Sequence, residues 1–261
     1  MQGIKGIDVS RYQGDIDWRA AAADGVGFAM IKALQGASAV DKRFEDNASG
    51  AADAGVPFGV YVYSKAKTKE EAGEEARAAL SLTRDMELAY PIAIDIESEH
   101  YRTLPEDTLA GIVDTFCEVV RAADRLPMIY SSKDWLENVI PNSCLENRYV
   151  WLAQWRKTDP DYKGTFCMWQ YGRDEVKGIK VKVDMDICLV DFPSLTAAIR
   201  PLVFAVKTPL MRGAAVKKMQ LALIAANYTD NAGVPLDPDG VWGRKSQQAL
   251  DKLVKTQSQY S

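Results

Sequence analysis

The sequence predicts an α/β chain: an incomplete, TIM-like (β/α) barrel of eight strands with few late helices, followed by a small C-terminal α-helical domain. Three observations predict it. Short β-rich runs alternate with longer helical stretches over the first half of the chain. After Ser131 the alternation gives way to strands separated by turn-like segments. Near residue 200 both the sign of the charge and the hydrophobic pattern change.

The first β-rich runs are Ile4 to Asp8, Gly27 to Lys32, Pro57 to Tyr63, Tyr90 to Glu97 and Pro127 to Ser131. Between them, Trp18 to Ala23, Asp41 to Ala54, Lys69 to Leu82 and Pro105 to Arg125 carry Ala, Leu, Val and Phe at helical spacing among charges. Four βα units in succession signal parallel strands joined by helices. Tyr149 to Gln154, Phe166 to Tyr171 and Val181 to Leu189 supply three more strands, spaced by turn-like stretches such as Thr158-Asp-Pro-Asp-Tyr-Lys-Gly164. A doubly wound open sheet is the alternative arrangement of the same elements. The first domain ends around Pro193 to Thr208, dividing the chain into residues 1–199 and 200–261. A new unit begins near Lys207, with an amphipathic helix from Ala214 to Ala226, a turn at Leu236-Asp-Pro-Asp-Gly240 and a second helix from Lys245 to Lys255.

Composition narrows the function classes. With 261 residues, 47% of them hydrophobic, the chain can build a sizeable core without disulfide staples. Cys117, Cys144, Cys167 and Cys188 are too widely spaced for a Cys-x-x-Cys site, and His100 is the single histidine. The cysteines read as reduced, buried thiols, and neither a metal nor a cofactor is expected. No run of eighteen apolar residues occurs, and the N-terminus enters a strand-like pattern without an apolar signal region, so neither membrane insertion nor Sec export is expected. The net charge of −4 divides into +5 over residues 200–261 and −9 over the rest. The larger part has the wrong sign for a nucleic-acid backbone, while the basic tail suits anionic cell-wall polymers.

In a parallel barrel the active site lies at the C-terminal ends of the strands. Asp8 closes the first strand, Asp95 and Glu97 the fourth, and Asp184 and Asp186 lie in the last. Strand alternation sends Asp95 and Glu97 to one side with Cα atoms about 6.5 Å apart, so one pKa should rise and hold a proton near neutral pH. Glycoside hydrolysis needs such a protonated acid beside a second charge. Salt bridges, helix caps or a carboxylate site for Mg²⁺ or Mn²⁺ are the competing readings of the same acids.

Aromatics favour a sugar over a phosphate. Tyr12, Tyr61, Tyr63, Tyr130, Trp151, Trp155, Trp169 and Tyr171 sit on or just after strands, where flat faces can stack on pyranose rings or simply fill core. Tyr61 and Tyr63 share a face, so they enter or leave the cavity together.

These residues resemble glycoside hydrolase family 25, the lysozymes of phage endolysins and bacterial autolysins, over residues 3 to about 193. Gly6-Ile-Asp-Val-Ser-x-Tyr-Gln-Gly-x-Ile-Asp-Trp18 resembles the family's opening signature, Ala93-Ile-Asp-Ile-Glu97 its catalytic strand, and Trp169-Gln-Tyr171 with Val183-Asp184 its closing one. The resemblance implies an N-acetylmuramidase cutting the β-1,4 bond between N-acetylmuramic acid and N-acetylglucosamine in peptidoglycan. It implies Glu97 as general acid, with Asp8, Asp95 and Asp184 at the other acidic positions. Substrate contacts are expected from Tyr12, Tyr61, Tyr63, Tyr130, Trp151 and Gln170. Where that pattern reads Val-Asp-Leu-Asn, this chain has Val183-Asp-Met-Asp186, leaving Asp186 an unmatched acid. The tail resembles a small helical peptidoglycan-binding domain through Leu210-x-Arg-Gly-x-x-Val216, Gln220-x-x-Leu223 and Asp239-Gly-Val-Trp-Gly243, without the usual aromatic in its final helix. The expected place of action is the cell wall, extracellular or phage-delivered. A non-catalytic wall-binding protein and a hydrolase of another glycan such as chitin are the rivals.

Overall fold

Side-chain parity along the strands divides this protein into a shell and a filled interior. The computed structural model describes residues 3–199 and 210–258. Eight strands form the barrel: β1 (Ile4–Val9), β2 (Phe28–Gln35), β4 (Phe58–Tyr63), β5 (Ile92–Asp95), β6 (Pro127–Ser132), β7 (Tyr149–Ala153), β8 (Met168–Asp174) and β9 (Val183–Cys188). One alternate set is aliphatic, with Ile7, Ile31, Val60, Val62, Ile94 and Ile129 in a single buried cluster. That set faces outward onto α1 (Trp18–Ala23), α2 (Phe44–Asp53), α3 (Lys69–Leu82), α4 (Glu106–Ala122), α5 (Lys133–Asn138) and α6 (Asn142–Leu145). The helix starts expected from sequence are built locally: Asp17 accepts the Ala20 N–H at 3.0 Å to begin α1, and Thr68 accepts that of Glu71 to begin α3.

The sheet closes because β1 pairs with β2 on one side, parallel, and with β9 on the other, antiparallel. That pairing leaves no open edge at β1 and rules out the doubly wound alternative. β2 to β8 run parallel in the order β2, β4, β5, β6, β7, β8. The missing late helices have a simple origin. Only residues 175–182 separate β8 from β9, fewer than a parallel crossover requires, so β9 returns antiparallel to β8. Three details depart from the sequence reading: a two-residue strand, β3 (Ala39–Val40), pairs with β2; the fourth barrel strand stops at Asp95, two residues short; and α7 (Phe192–Ile199) occupies the stretch expected to begin the domain boundary. The expected unit start near Lys207 lies outside the described residues.

The inward set fills the lower barrel with Phe28, Met30, Ala93, Met128, Trp151 and Met168. Phe28 stacks on Tyr90 with centroids 4.6 Å apart, and Phe192 of α7 meets Tyr90 and Tyr149 from below. This floor is too crowded for side chains at Gly6 and Gly59: a Cβ at Gly59 would meet Pro91 O at 2.5 Å, and one at Gly6 would enter the Phe28 ring. Inward positions one pleat higher are polar. All four cysteines are buried free thiols.

The second unit, Pro201–Ser261, has its own small core. Val216 and Leu223 on α8 (Ala214–Ala225) and Ala249 on α9 (Arg244–Ser258) pack with Leu236 and Trp242. Gln220 links the segments: its side-chain amide donates to Asp239, Val241 O and Ser246, and its Oε1 accepts the Gly240 N–H at 2.9 Å. Gly240, at φ 74°, makes the turn that presents this N–H.

Candidate active site

Above the floor opens a cavity of about 830 Å³, lined by the four acids Asp8, Asp95, Glu97 and Asp184 and by the six expected substrate contacts, Tyr12, Tyr61, Tyr63, Tyr130, Trp151 and Gln170. Its acids come from separate parts of the chain. Asp8 on β1 lies opposite Asp184 on β9, and Asp95 ends β5 opposite Tyr63 and Tyr130. Glu97 follows just past the strand, solvent-accessible at the mouth, while Asp95 below it is 3% exposed. Because β9 runs against the other strands, Asp184 reaches the mouth from the start of its strand rather than from its end.

The electrostatics separate these carboxyls. Burial pushes Asp95 well above the usual carboxylate range, and the neighbouring Glu97 adds to this against the pull of Lys32. One Asp95 oxygen, Oδ1, is buried without a hydrogen-bond partner among the described residues. Glu97 is raised too, by burial first and by Asp184 next, with Lys32 and Lys65 opposing. The expectation of one raised acid in this pair is therefore exceeded: both are raised, the inner one more. Asp8 is raised by burial and by Asp184. Asp184 is held by Arg173, whose Nε lies 2.6 Å from its Oδ1.

The aromatic walls are rigidly placed. Trp151 takes Tyr130 and Tyr61 edge-on, at 4.5 and 6.0 Å between centroids. Tyr63 lies between the ammonium groups of Lys32 and Lys65, each 4.7 Å from its ring. Gln170 organises the far side, donating to Asp8 Oδ2 at 2.8 Å and accepting from the Trp155 indole at 2.9 Å and from the Tyr130 hydroxyl. Tyr12 stands on the lip, 70% exposed, beneath the Arg11 guanidinium. Its loop explains the motif around it: Gln13 accepts the Ser10 N–H at 2.8 Å, Ser10 accepts that of Tyr12, and Gly14 turns the chain at φ 67°. Tyr61 and Tyr63 enter together, as parity requires.

Trp169 and Tyr171 face the other way. Trp169 is buried in the shell with its indole on Gln154 O, and Tyr171 packs beside it. Trp155 does line the cavity, 56% exposed. Sequence reasoning missed the cations Lys32, Lys65, Arg173 and Lys182, which line it as well. Lys32 had a readable signal, since it shares parity with Phe28 and Met30 in an otherwise apolar run. Among the described residues, no group of three or more His, Cys, Asp or Glu is arranged to hold a metal ion.

The profile of the family described as Glycosyl hydrolases family 25 matches residues 7–179. The chain is 26% identical over 184 residues to the autolytic lysozyme of Clostridium acetobutylicum, covering 70% of this chain and 55% of that one. It is 28% identical over 196 residues to lysozyme M1 of Streptomyces globisporus, covering 70% and 66%. It therefore spans between about half and two thirds of the length of these curated relatives. Among solved structures, the bacterial lysozyme from Streptomyces coelicolor superposes with a TM-score of 0.65 at 26% identity, covering 76% of this chain and 97% of that one.

Proposed function

The chain belongs to glycosyl hydrolases family 25, and on that premise we propose that it cuts the β-1,4 bond between N-acetylmuramic acid and N-acetylglucosamine in peptidoglycan. The observation that carries this reading is the cavity itself, where a solvent-accessible Glu97 with a raised pKa stands above buried Asp95 and between aromatic walls. Glu97 keeps its proton to higher pH than an ordinary glutamate, and its place at the mouth lets it reach a glycosidic oxygen. It protonates that oxygen as the bond to the anomeric carbon breaks. Asp95 accepts from the 2-acetamido N–H and so aims the acetamido oxygen, which bonds to the anomeric carbon as the leaving oxygen departs. Water then attacks that carbon, the acetamido oxygen leaves, and the Glu97 carboxylate takes the water's proton. Asp8 and Asp184 hold sugar hydroxyls, and Tyr12, Tyr61, Tyr63, Tyr130, Trp151 and Gln170 line the glycan's path.

The basic second unit is proposed as a wall-binding module, supported by its charge and by the Gln220-centred core that its motif builds. The similarity to an autolytic lysozyme supports action at the cell wall, reached from outside the cell or by phage delivery in this proposal.

The deciding experiment is mass spectrometry of sugars released from purified peptidoglycan and, in parallel, from chitin. Products ending in reducing N-acetylmuramic acid from peptidoglycan alone support the proposal. Release from chitin instead points to the other glycan, and binding without release to an adhesive barrel. E97Q is expected to lower turnover by about 10²–10⁴-fold with Tm unchanged; substantial residual turnover would sink Glu97 as the acid.

A further inference from the structure

The hydrolytic reading leaves Asp186 without a task, although it is the most deeply buried acid in the barrel, with no exposure at all. It faces inward from β9, and its cross-strand neighbours are Gly6 on β1 and Gln170 on β8. Oδ1 accepts the indole N–H of Trp151 at 2.7 Å. Among the described residues, Oδ2 has no N–H or O–H donor. The Asp186 and Asp8 carboxyls are in hydrogen-bonding contact. Asp8 meanwhile receives Gln170 Nε2 on its own Oδ2.

Two carboxylates cannot sit in hydrogen-bonding contact inside a buried barrel unless a proton lies between them. The cation that acts on Asp8 is Arg173, and Asp184 already engages it. The groups acting on Asp186 are Asp8 from β1 and Asp184 on its own strand, with the Trp151 indole from β7. The Cys188 thiol and the Tyr171 phenol are also coupled electrostatically to this position. From β8 comes the neutral Gln170 amide as well, and the Arg173 guanidinium is engaged by Asp184. The proton belongs on the deeper partner, because Asp8 borders the cavity and Asp186 does not. Burial and the Asp8 charge both raise the Asp186 carboxyl.

We propose that Asp186 is a neutral carboxylic acid whose Oδ2–H donates to Asp8, making it a positioning residue that holds Asp8 as a charged acceptor facing the substrate. Its catalytic consequence rests on the muramidase reading. Trp151 occupies Oδ1, so the acid has one free oxygen and can donate in only one direction. Gln170 restrains Asp8 through a second bond, and two fixed donors set the plane of the Asp8 carboxylate against the cavity. Deprotonation at alkaline pH places like charges in contact and releases Asp8, a loss of activity separate from the titration of Glu97.

Infrared spectroscopy of the full chain in D₂O at neutral pH reads the proton directly. The carboxylic-acid carbonyl band of the wild type should lose one group's intensity in D186N. An amide reproduces both the donor and the acceptor, so D186N should stay within about threefold of wild type on peptidoglycan, while D186A should fall about 10–100-fold. The alkaline limb of the D186N pH–rate profile should lose the second step and keep the one set by Glu97. An unchanged carbonyl band overturns the inference, as does equal activity of D186A and D186N. The infrared difference needs no substrate and does not require D186A to fold. A wild type inactive on peptidoglycan would therefore sink the muramidase reading while the band still decides the proton.

Discussion

Asp95 and Glu97 sit two residues apart and differ mainly in their contact with water. In the proposed mechanism depth assigns their tasks, since the buried acid keeps its proton more tightly while the outer one can exchange it with solvent and substrate. Asp95 also has a consequence for stability. Its folded pKa lies above the ordinary value of about 3.9, so between that value and the folded one the native state holds a proton that the unfolded chain has released. Stability must then decline as pH rises through that window. D95N removes the decline: its Tm should match wild type near pH 4 and exceed it at pH 8, by about 2–4 °C for each kcal/mol relieved. A constant Tm difference across that range would contradict the assigned burial cost. Turnover of D95N should fall even as its Tm rises.

The floor of the barrel is set by glycine. Gly59 lies against Pro91 O and the Tyr90 side chain, so G59A must push apart a stacked aromatic pair, an overpacking cost of about 1–3 kcal/mol. Urea titration should show that loss with an unchanged slope. The strands themselves were legible because their period of two survives in the sequence: the isoleucines beside Ala93 and Asp95 announce both a shell face and a cavity face. Direction along the strand leaves no such mark. Val183-Asp-Met-Asp186 reads alike in either sense, and only the short 175–182 connection betrays that β9 turns back. The cations escaped for another reason. Lys65 and Lys182 lie in loops, where no periodicity ties a side chain to the cavity, and Arg173 follows a motif whose aromatics drew the attention outward to Trp169 and Tyr171. α7 was hidden by Pro193, which reads as a break but is tolerated in the first turn of a helix.

The two compact units of the chain have separate cores, and the second is small enough that one aromatic decides it. Trp242 is fully buried there, and W242A should cost about 3–5 kcal/mol. The expected result is weaker retention on intact sacculi and slower solubilisation of them, with kcat/KM on soluble glycan fragments unchanged; equal retention would argue against wall binding by this unit. Among the described residues, no helix is long and apolar enough to cross a membrane. The first barrel strand, by contrast, depends on the last. Asp8 meets Asp184 across the β1–β9 seam, and the bond from Gln170 to Asp8 spans 162 residues of chain. During synthesis at about 5–20 residues per second, the opening signature leaves the ribosome many seconds before its partners exist. A nascent chain halted before Val183 has the Asp95–Glu97 pair but neither the seam nor Asp184, and should be catalytically silent. Closure by the last strand thus leaves the acid cluster incomplete until nearly the whole barrel has been made.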